Sequence, residues 1–238
     1  VKQAFQHSRR GNWRFSLSEG AGPDLVLAFS SVGHDPDEMP SPEFLTSASA
    51  GGQRRVLCIA DRGRSWGQDP GFAPALKRQV AQLEPKGRVL AIGSSMGGCL
   101  ALQAATVLPL SAVLAFGPQW ALGPDCPDET RWPLWRAGLR AGAGARAFWP
   151  PPEGVAVTLL HGLKDDLAQA RAFPAQPGVD HLLFAEESHS DLALNLRARG
   201  LLGGLTEAAI GHDRRRLLRL ASSAGGISRK RLWRGTAG

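Results

Sequence analysis

Residues 90–100 read LAIGSSMGGCL. An apolar run stops at Gly93-Ser94-Ser95-Met96-Gly97 and resumes at once as Gly98-Cys99-Leu100. The run before the break, RVLAI (88–92), reads as a buried strand, being short, apolar and bounded by turn residues. The run after it, GGCLALQAATVL, is apolar and rich in small residues, as a helix packed closely on a sheet would be. The junction has two readings. One is a tight turn whose serines cap the helix, which Ser94 satisfies as well as Ser95. The other is a sharp strand-to-helix corner that projects the Ser95 hydroxyl outward. Gly93 and Gly97, two residues to either side, would then be glycine because the two backbones approach too closely for a Cβ. The amide of Met96 would open the helix and point at an oxyanion formed by attack on a carbonyl.

The rest of the chain decides between them. DLVLAF (24–29), RRVLCIA (54–60), SAVLAF (111–116), VAVTLL (155–160) and HLLFAE (181–186) are further apolar runs stopped by loop residues. FAPALKRQVAQL (72–83) places Phe72, Leu76, Val80 and Leu83 on one helical face and ends at Pro85 and Gly87. SHSDLALNLRARGLL reads as another helix. Continuous apolar strands alternating with helices imply an α/β fold: a mostly parallel sheet covered by helices on both faces. The irregular stretch 118–152 holds Trp120, Trp132, Trp135 and Trp149 and is too short for a separate cap domain. One domain is expected over 1–211, its core spanning about 24–203, followed by a basic tail over 212–238.

In a parallel sheet, reactive groups gather beyond the carboxyl ends of the strands. Ser95 sits at such an end. Serine is a weak nucleophile at neutral pH, so it needs a base, and the base needs an orienting group. After the fifth strand comes HGLKDD, with Asp165 and Asp166 adjacent. Asp165 is preferred from its spacing to Gly162 and Leu167. After the sixth comes ESHSD, where His189 lies on a loop before a helix. His161 and His34, also at strand ends, read as pocket or loop residues, and His181 as the opening of its strand. The order Ser95, Asp165, His189 is that of a nucleophile, its orienting acid and its base.

On GSSMGG after a strand, HGLKDD after a later one and ESHSDLALNL near the end of the core, the chain resembles the α/β-hydrolase superfamily over about residues 24–203. CIADRGRSWGQDPG and LAFGPQWAL look like small bacterial members found in polysaccharide-related contexts. The resemblance implies a serine nucleophile, a histidine general base, an acidic orienter and a second oxyanion donor just after the first core strand. That loop here is FSSVGH, without the His-Gly pair many members carry. Val32 is the candidate donor, with Ser31 the alternative.

These readings lead to a serine hydrolase that cleaves an ester, thioester or similar acyl bond through an acyl-enzyme. The alternatives are an acyltransferase on the same fold and a non-catalytic binding protein that retains it. Neither metal nor organic cofactor is required by such chemistry. The partner is a small-molecule or glycan-linked acyl substrate.

The 238 residues are 43% hydrophobic, enough for a full core. Every apolar run is shorter than a bilayer span, and the polar N-terminus does not read as a secretory signal. Cys58, Cys99 and Cys126 form neither a disulfide framework nor a zinc motif, which fits a reducing cytoplasm. The net charge of +7 resides in the tail, where Arg214, Arg215, Arg216, Arg219, Arg229, Lys230, Arg231 and Arg234 oppose Asp213 alone. The tail is expected to be a solvated terminus, dispensable for catalysis. Contact with nucleic acid or an anionic membrane is the competing reading.

Overall fold

A computed structural model describes residues 6–124, 126 and 129–234 of the chain. Among the described residues, nine strands form one sheet: β1 (Gln6–Arg10), β2 (Trp13–Ser18), β3 (Leu25–Phe29), β4 (Arg55–Asp61), β5 (Val89–Ser94), β6 (Ala112–Phe116), β7 (Ala156–Gly162), β8 (Val179–Phe184) and β9 (Gly226–Ser228). Their spatial order is β1-β2-β4-β3-β5-β6-β7-β8-β9. The six central strands, β4 to β8, are parallel, and the two edges are antiparallel. The helices are α1 (Leu45–Ser49), α2 (Phe72–Leu83), α3 (Met96–Val107), α4 (Pro133–Arg136), α5 (Leu163–Ala172), α6 (Leu192–Ala198), α7 (Leu201–Ile210), α8 (Arg214–Ser223) and α9 (Arg229–Arg234).

The continuous apolar strands are explained by two cores, one on each face of the sheet. Side chains alternate across a strand. Leu25, Leu27 and Phe29 of β3 therefore enter one core with Phe72 and Leu76 of α2 and Leu100 of α3. Val26 and Ala28 enter the other with Leu192 of α6, Leu205 of α7 and Leu217 of α8. Every residue of β3 and β6 is buried, so neither strand has a solvent face to mark with polar residues.

Two regions depart from expectation. The N-terminal stretch, read as a polar opening, forms the β1–β2 hairpin, which pairs antiparallel to β4. Trp13, Phe15 and Leu17 of β2 are buried in the first core. The basic tail is not a frayed terminus over its described residues. Asp213 caps α8 by accepting a hydrogen bond from the Arg216 amide at 2.9 Å. Leu217 and Ala221 of α8 are buried in the second core. Arg214 makes two 2.7 Å hydrogen bonds to the Asp180 carboxylate, and β9 pairs with β8. The sheet therefore runs past residue 211, where the domain boundary was expected.

No helix among the described residues is long and apolar enough to cross a membrane.

Candidate active site

The corner at Ser95 has the geometry that its glycines imply. Ser95 sits at φ 56°, ψ −124°, between the end of β5 and the first residue of α3. A non-glycine residue there is strained by about 1–3 kcal/mol and persists only when its surroundings over-determine it. Here they do. The Ser95 amide donates to the Phe116 carbonyl at 2.8 Å, and its own carbonyl accepts from Gly98 at 2.9 Å and Cys99 at 3.2 Å. A Cβ on Gly93 would lie 2.2 Å from the Gly97 oxygen, and one on Gly97 would lie 2.3 Å from the Phe29 oxygen. Ser94, by contrast, is the last residue of β5, in register with Phe116. Met96 is the first residue of α3, so its amide has no carbonyl one turn back to bond.

His189 lies between β8 and α6 and is held at both its ring and its backbone. Its Nδ1 is 2.6 Å from Oδ2 of Asp166, and its amide donates to Oδ1 of Asp165 at 2.6 Å. The ring contact expected of Asp165 thus belongs to Asp166. Helix phase is the reason. Both aspartates stand in the first turn of α5, not on a loop. Adjacent helical residues point about 100° apart. Asp166 shares the inward face with Gln169 and Ala170, while Asp165 is exposed.

Asp166 is fully buried. Burial alone would raise its pKa, but the hydrogen bond from His189 and the nearby Arg131 guanidinium help hold it below the usual carboxylate value. Arg131 Nη1 lies 2.8 Å from Asp166 Oδ1 without hydrogen-bond alignment, so the contact is ionic. The same guanidinium bonds Glu129 at 2.9 and 2.7 Å. Trp132 covers the imidazole, its ring centroid 5.1 Å from that of His189.

The Ser95 backbone and the His189 imidazole meet the same short piece of chain. Phe116 bonds the Ser95 amide. A Cβ on the next residue, Gly117, would lie 2.8 Å from His189 Nδ1 and 3.0 Å from Asp166 Oδ2. Among the described residues, however, no hydrogen bond joins Ser95 to His189. The Ser95 hydroxyl accepts one from Gln119 Nε2 at 3.0 Å.

The loop after β3 is fixed by the segment that follows β4. The buried Arg64 donates to the carbonyls of Val32 at 3.2 Å, Asp35 at 2.9 Å and Glu38 at 2.5 Å. Ser31 gives its amide to Glu43 at 3.1 Å. Burial raises the pKa of that glutamate, against the opposing effect of its Ser31 bonds. Val32 is buried with its carbonyl engaged by Arg64.

Two other histidines are structural neighbours. His161 Nε2 lies 2.9 Å from the Pro118 carbonyl, which only accepts, so this nitrogen carries the proton. His161 Nδ1 then accepts from His181 Nε2 at 2.9 Å. His181 is the third residue of β8, not its opening. Burial brings the His161 pKa down to about 4, with Asp166 opposing, and burial also holds His181 well below its ordinary value. Both rings are therefore neutral at pH 7. Among the described residues, no three His, Cys, Asp or Glu side chains cluster as a metal site.

Sequence reasoning missed Arg131 and Gln119, and it singled out Trp132 only as one of four tryptophans without a place beside His189. All come from the irregular stretch 118–152, and only tertiary packing brings them to the strand ends.

The chain has the α/β-hydrolase fold. It is similar to a 2,6-dihydroxy-pseudo-oxynicotine hydrolase, at 16% identity and TM-score 0.65 over 87% of this chain and 68% of that one. It is similar to a capsule O-acetyltransferase of Neisseria meningitidis serogroup A, at 12% identity and TM-score 0.62 over 84% and 93%. An esterase of Pyrococcus furiosus gives 14% identity and TM-score 0.60 over 87% and 92%. At these identities the likeness is one of fold. No protein-family model and no curated protein matches the chain.

Proposed function

We propose that this protein cleaves or transfers an acyl group through a serine nucleophile, with hydrolysis of an ester or thioester as the reaction. The observation that carries the reading is the strained backbone of Ser95 at a glycine-flanked strand-to-helix corner. Such strain has a use when a side chain must be presented to a substrate. The His189–Asp166 pair beside Gly117 supports it by supplying an oriented base. The names of the fold neighbours (a hydrolase, an O-acetyltransferase and an esterase) fit the same chemistry.

In this mechanism Ser95 Oγ attacks the acyl carbon while its proton passes to His189 Nε2. The positive imidazole is stabilised by the Asp166 carboxylate on its other nitrogen. The carbonyl π electrons move onto oxygen, which the amides of Met96 and Val32 stabilise. Val32 is favoured over Ser31 as second donor because the Ser31 amide is already committed to Glu43. As the tetrahedral intermediate collapses, the bond to the leaving group breaks, and that group takes the proton from His189. Water, with His189 again the base, then attacks the acyl-enzyme and releases the acid. An acceptor hydroxyl in place of water gives the acyltransferase.

A fluorophosphonate probe tests this directly. The full chain should be labelled once, at Ser95, with Ser95→Ala unlabelled and Ser94→Ala labelled normally. A folded wild-type chain that resists the probe would mean a binding protein on a hydrolase fold. Turnover of a panel of esters and thioesters, with and without added alcohols, separates hydrolysis from transfer.

A further inference from the structure

Gln119 follows β6 and is fully buried. Its amide orientation is dictated by its neighbours. Trp66 Nε1 only donates, and it lies 2.7 Å from Gln119 Oε1. The Gly117 carbonyl only accepts, and it lies 3.1 Å from Gln119 Nε2. Cys99 Sγ approaches the same Oε1 at 3.6 Å. Nε2 must therefore be the atom facing Ser95 Oγ at 3.0 Å. Both of its protons are then in use, one to Gly117 and one to Ser95.

This has a chemical consequence. A hydroxyl offers one proton and two lone pairs. Gln119 takes up a lone pair and presents no acceptor of its own, so the Ser95 proton must be given elsewhere. On the reading of Ser95 as nucleophile and His189 as base, on which this inference rests, the acceptor is His189 Nε2. The same N–H faces the oxygen on which negative charge grows twice: as Ser95 loses its proton in acylation, and as Oγ leaves the tetrahedral intermediate in deacylation. We infer that Gln119 is a positioning residue of the reaction, a buried amide locked by Trp66 so that it donates to the nucleophile's oxygen and directs its proton to the base.

The inference makes opposite demands on two substitutions of nearly equal size. Gln119→Met removes the donor and leaves an apolar chain of similar length. It should slow fluorophosphonate labelling of Ser95 by about tenfold to a hundredfold, somewhat below the loss of a full oxyanion donor. Gln119→Glu replaces the donor with a carboxylate that, when ionised, accepts the Ser95 proton in competition with His189. Its labelling rate should fall further at pH 8 and recover relative to wild type as the pH is lowered and the carboxyl is protonated. Trp66→Phe frees the amide to rotate and should give a smaller loss with the wild-type pH profile. Circular dichroism and thermal melts establish that each variant is folded.

A merely structural Gln119 would move stability without the inverted pH dependence. If wild type labels at Ser95 while folded Gln119→Met labels equally fast, or if Gln119→Glu keeps the wild-type pH profile, the inference is overturned and the serine mechanism stands. If wild type does not label at Ser95, the serine mechanism itself fails. Should Gln119→Glu not fold, the Gln119→Met rate decides alone.

Discussion

Oδ2 of Asp166 lies 2.6 Å from Nδ1 of His189, while the neighbouring Asp165 reaches only the backbone amide of the same histidine. Two adjacent carboxylates thus hold one residue in different ways. Asp166 fixes the ring's tautomer and, in the mechanism proposed above, would face the charge that forms on it, whereas Asp165 holds the backbone of the loop. Asp166→Asn should reduce turnover by about 10⁴, the size of effect seen when a triad acid is removed with geometry retained. Asp165→Asn should cost less than tenfold, since an amide oxygen can still accept from the His189 amide. Steady-state rates of the two purified variants check this. A dead Asp165→Asn beside an active Asp166→Asn would reverse the roles.

The glycines of the corner should rank by what a methyl group would strike. At Gly97 the obstacle is the Phe29 backbone oxygen at 2.3 Å; at Gly98 the nearest atom, the Phe116 oxygen, is 3.2 Å away. The first cannot be relieved without parting β3 from α3, so Gly97→Ala should destabilise the fold by about 3 kcal/mol, the upper range for overpacking. It should also displace Ser95 and lose labelling. Gly98→Ala requires a shift of a few tenths of an ångström and should keep both. Equal melting temperatures for the two variants would contradict the close approach of these backbones.

The contrast between what the chain's order reveals and what it conceals follows from range. The central strands and α2 are legible because each is a local pattern, and the corner because G-x-S-x-G is a local steric device. Asp166 was also within reach: 166, 169, 170 and 173 make one buried helical face, but only if HGLKDD is read as the start of a helix rather than a loop. The β2 strand carries the period-two signal Trp13, Phe15, Leu17, diluted by the arginines around it. The three residues of β9 carry no pattern at all. Gln119 and Arg131 are concealed for a different reason. Their roles exist only after β6, α3 and α5 have packed, and no spacing along the chain encodes that meeting.

The buried histidine pair should make stability depend on pH. The folded-state pKa of His161 is depressed to about 4 from 6.5 by burial, with Asp166 opposing. The native state thus binds fewer protons than the unfolded chain between these values. Stability is full above about pH 6.5, falls as the pH drops, and the His161 contribution is gone below about pH 4; the loss is roughly 3 kcal/mol. His181 is depressed in the same direction, first by burial and then by His161 and Arg229, and adds to the slope. Urea titrations from pH 4 to 8 should show this fall. His161→Gln, whose amide can still donate to the Pro118 carbonyl, should flatten it. An unchanged slope in that variant would assign the acid sensitivity elsewhere.

The C-terminal basic segment combines two properties that substitutions can separate. Its apolar residues are spent inward: Leu217 and Ala221 of α8 lie in the second core, and β9 extends the sheet. Its charges are spent outward, with Arg215, Arg216 and Arg219 exposed. Deletion from Arg214 onward removes two helices, α8 and α9, and the edge strand β9, and it uncovers the face of α7 on which α8 packs together with the edge of β8. The truncated chain should therefore melt well below the full one, and Leu217→Ala alone should cost about 2–4 kcal/mol. Replacing Arg215, Arg216 and Arg219 with serine should change stability by no more than about 0.5 kcal/mol. It should nevertheless weaken any retention on an anionic resin, with the difference vanishing at high salt as the charges are screened. Turnover should follow stability and ignore charge: intact in the serine variant, lost in the truncated chain at temperatures where that chain has unfolded. A truncated chain with the full-length melting temperature and full turnover would mean that α8 and β9 contribute nothing to the fold, and the independent tail expected from composition would be restored.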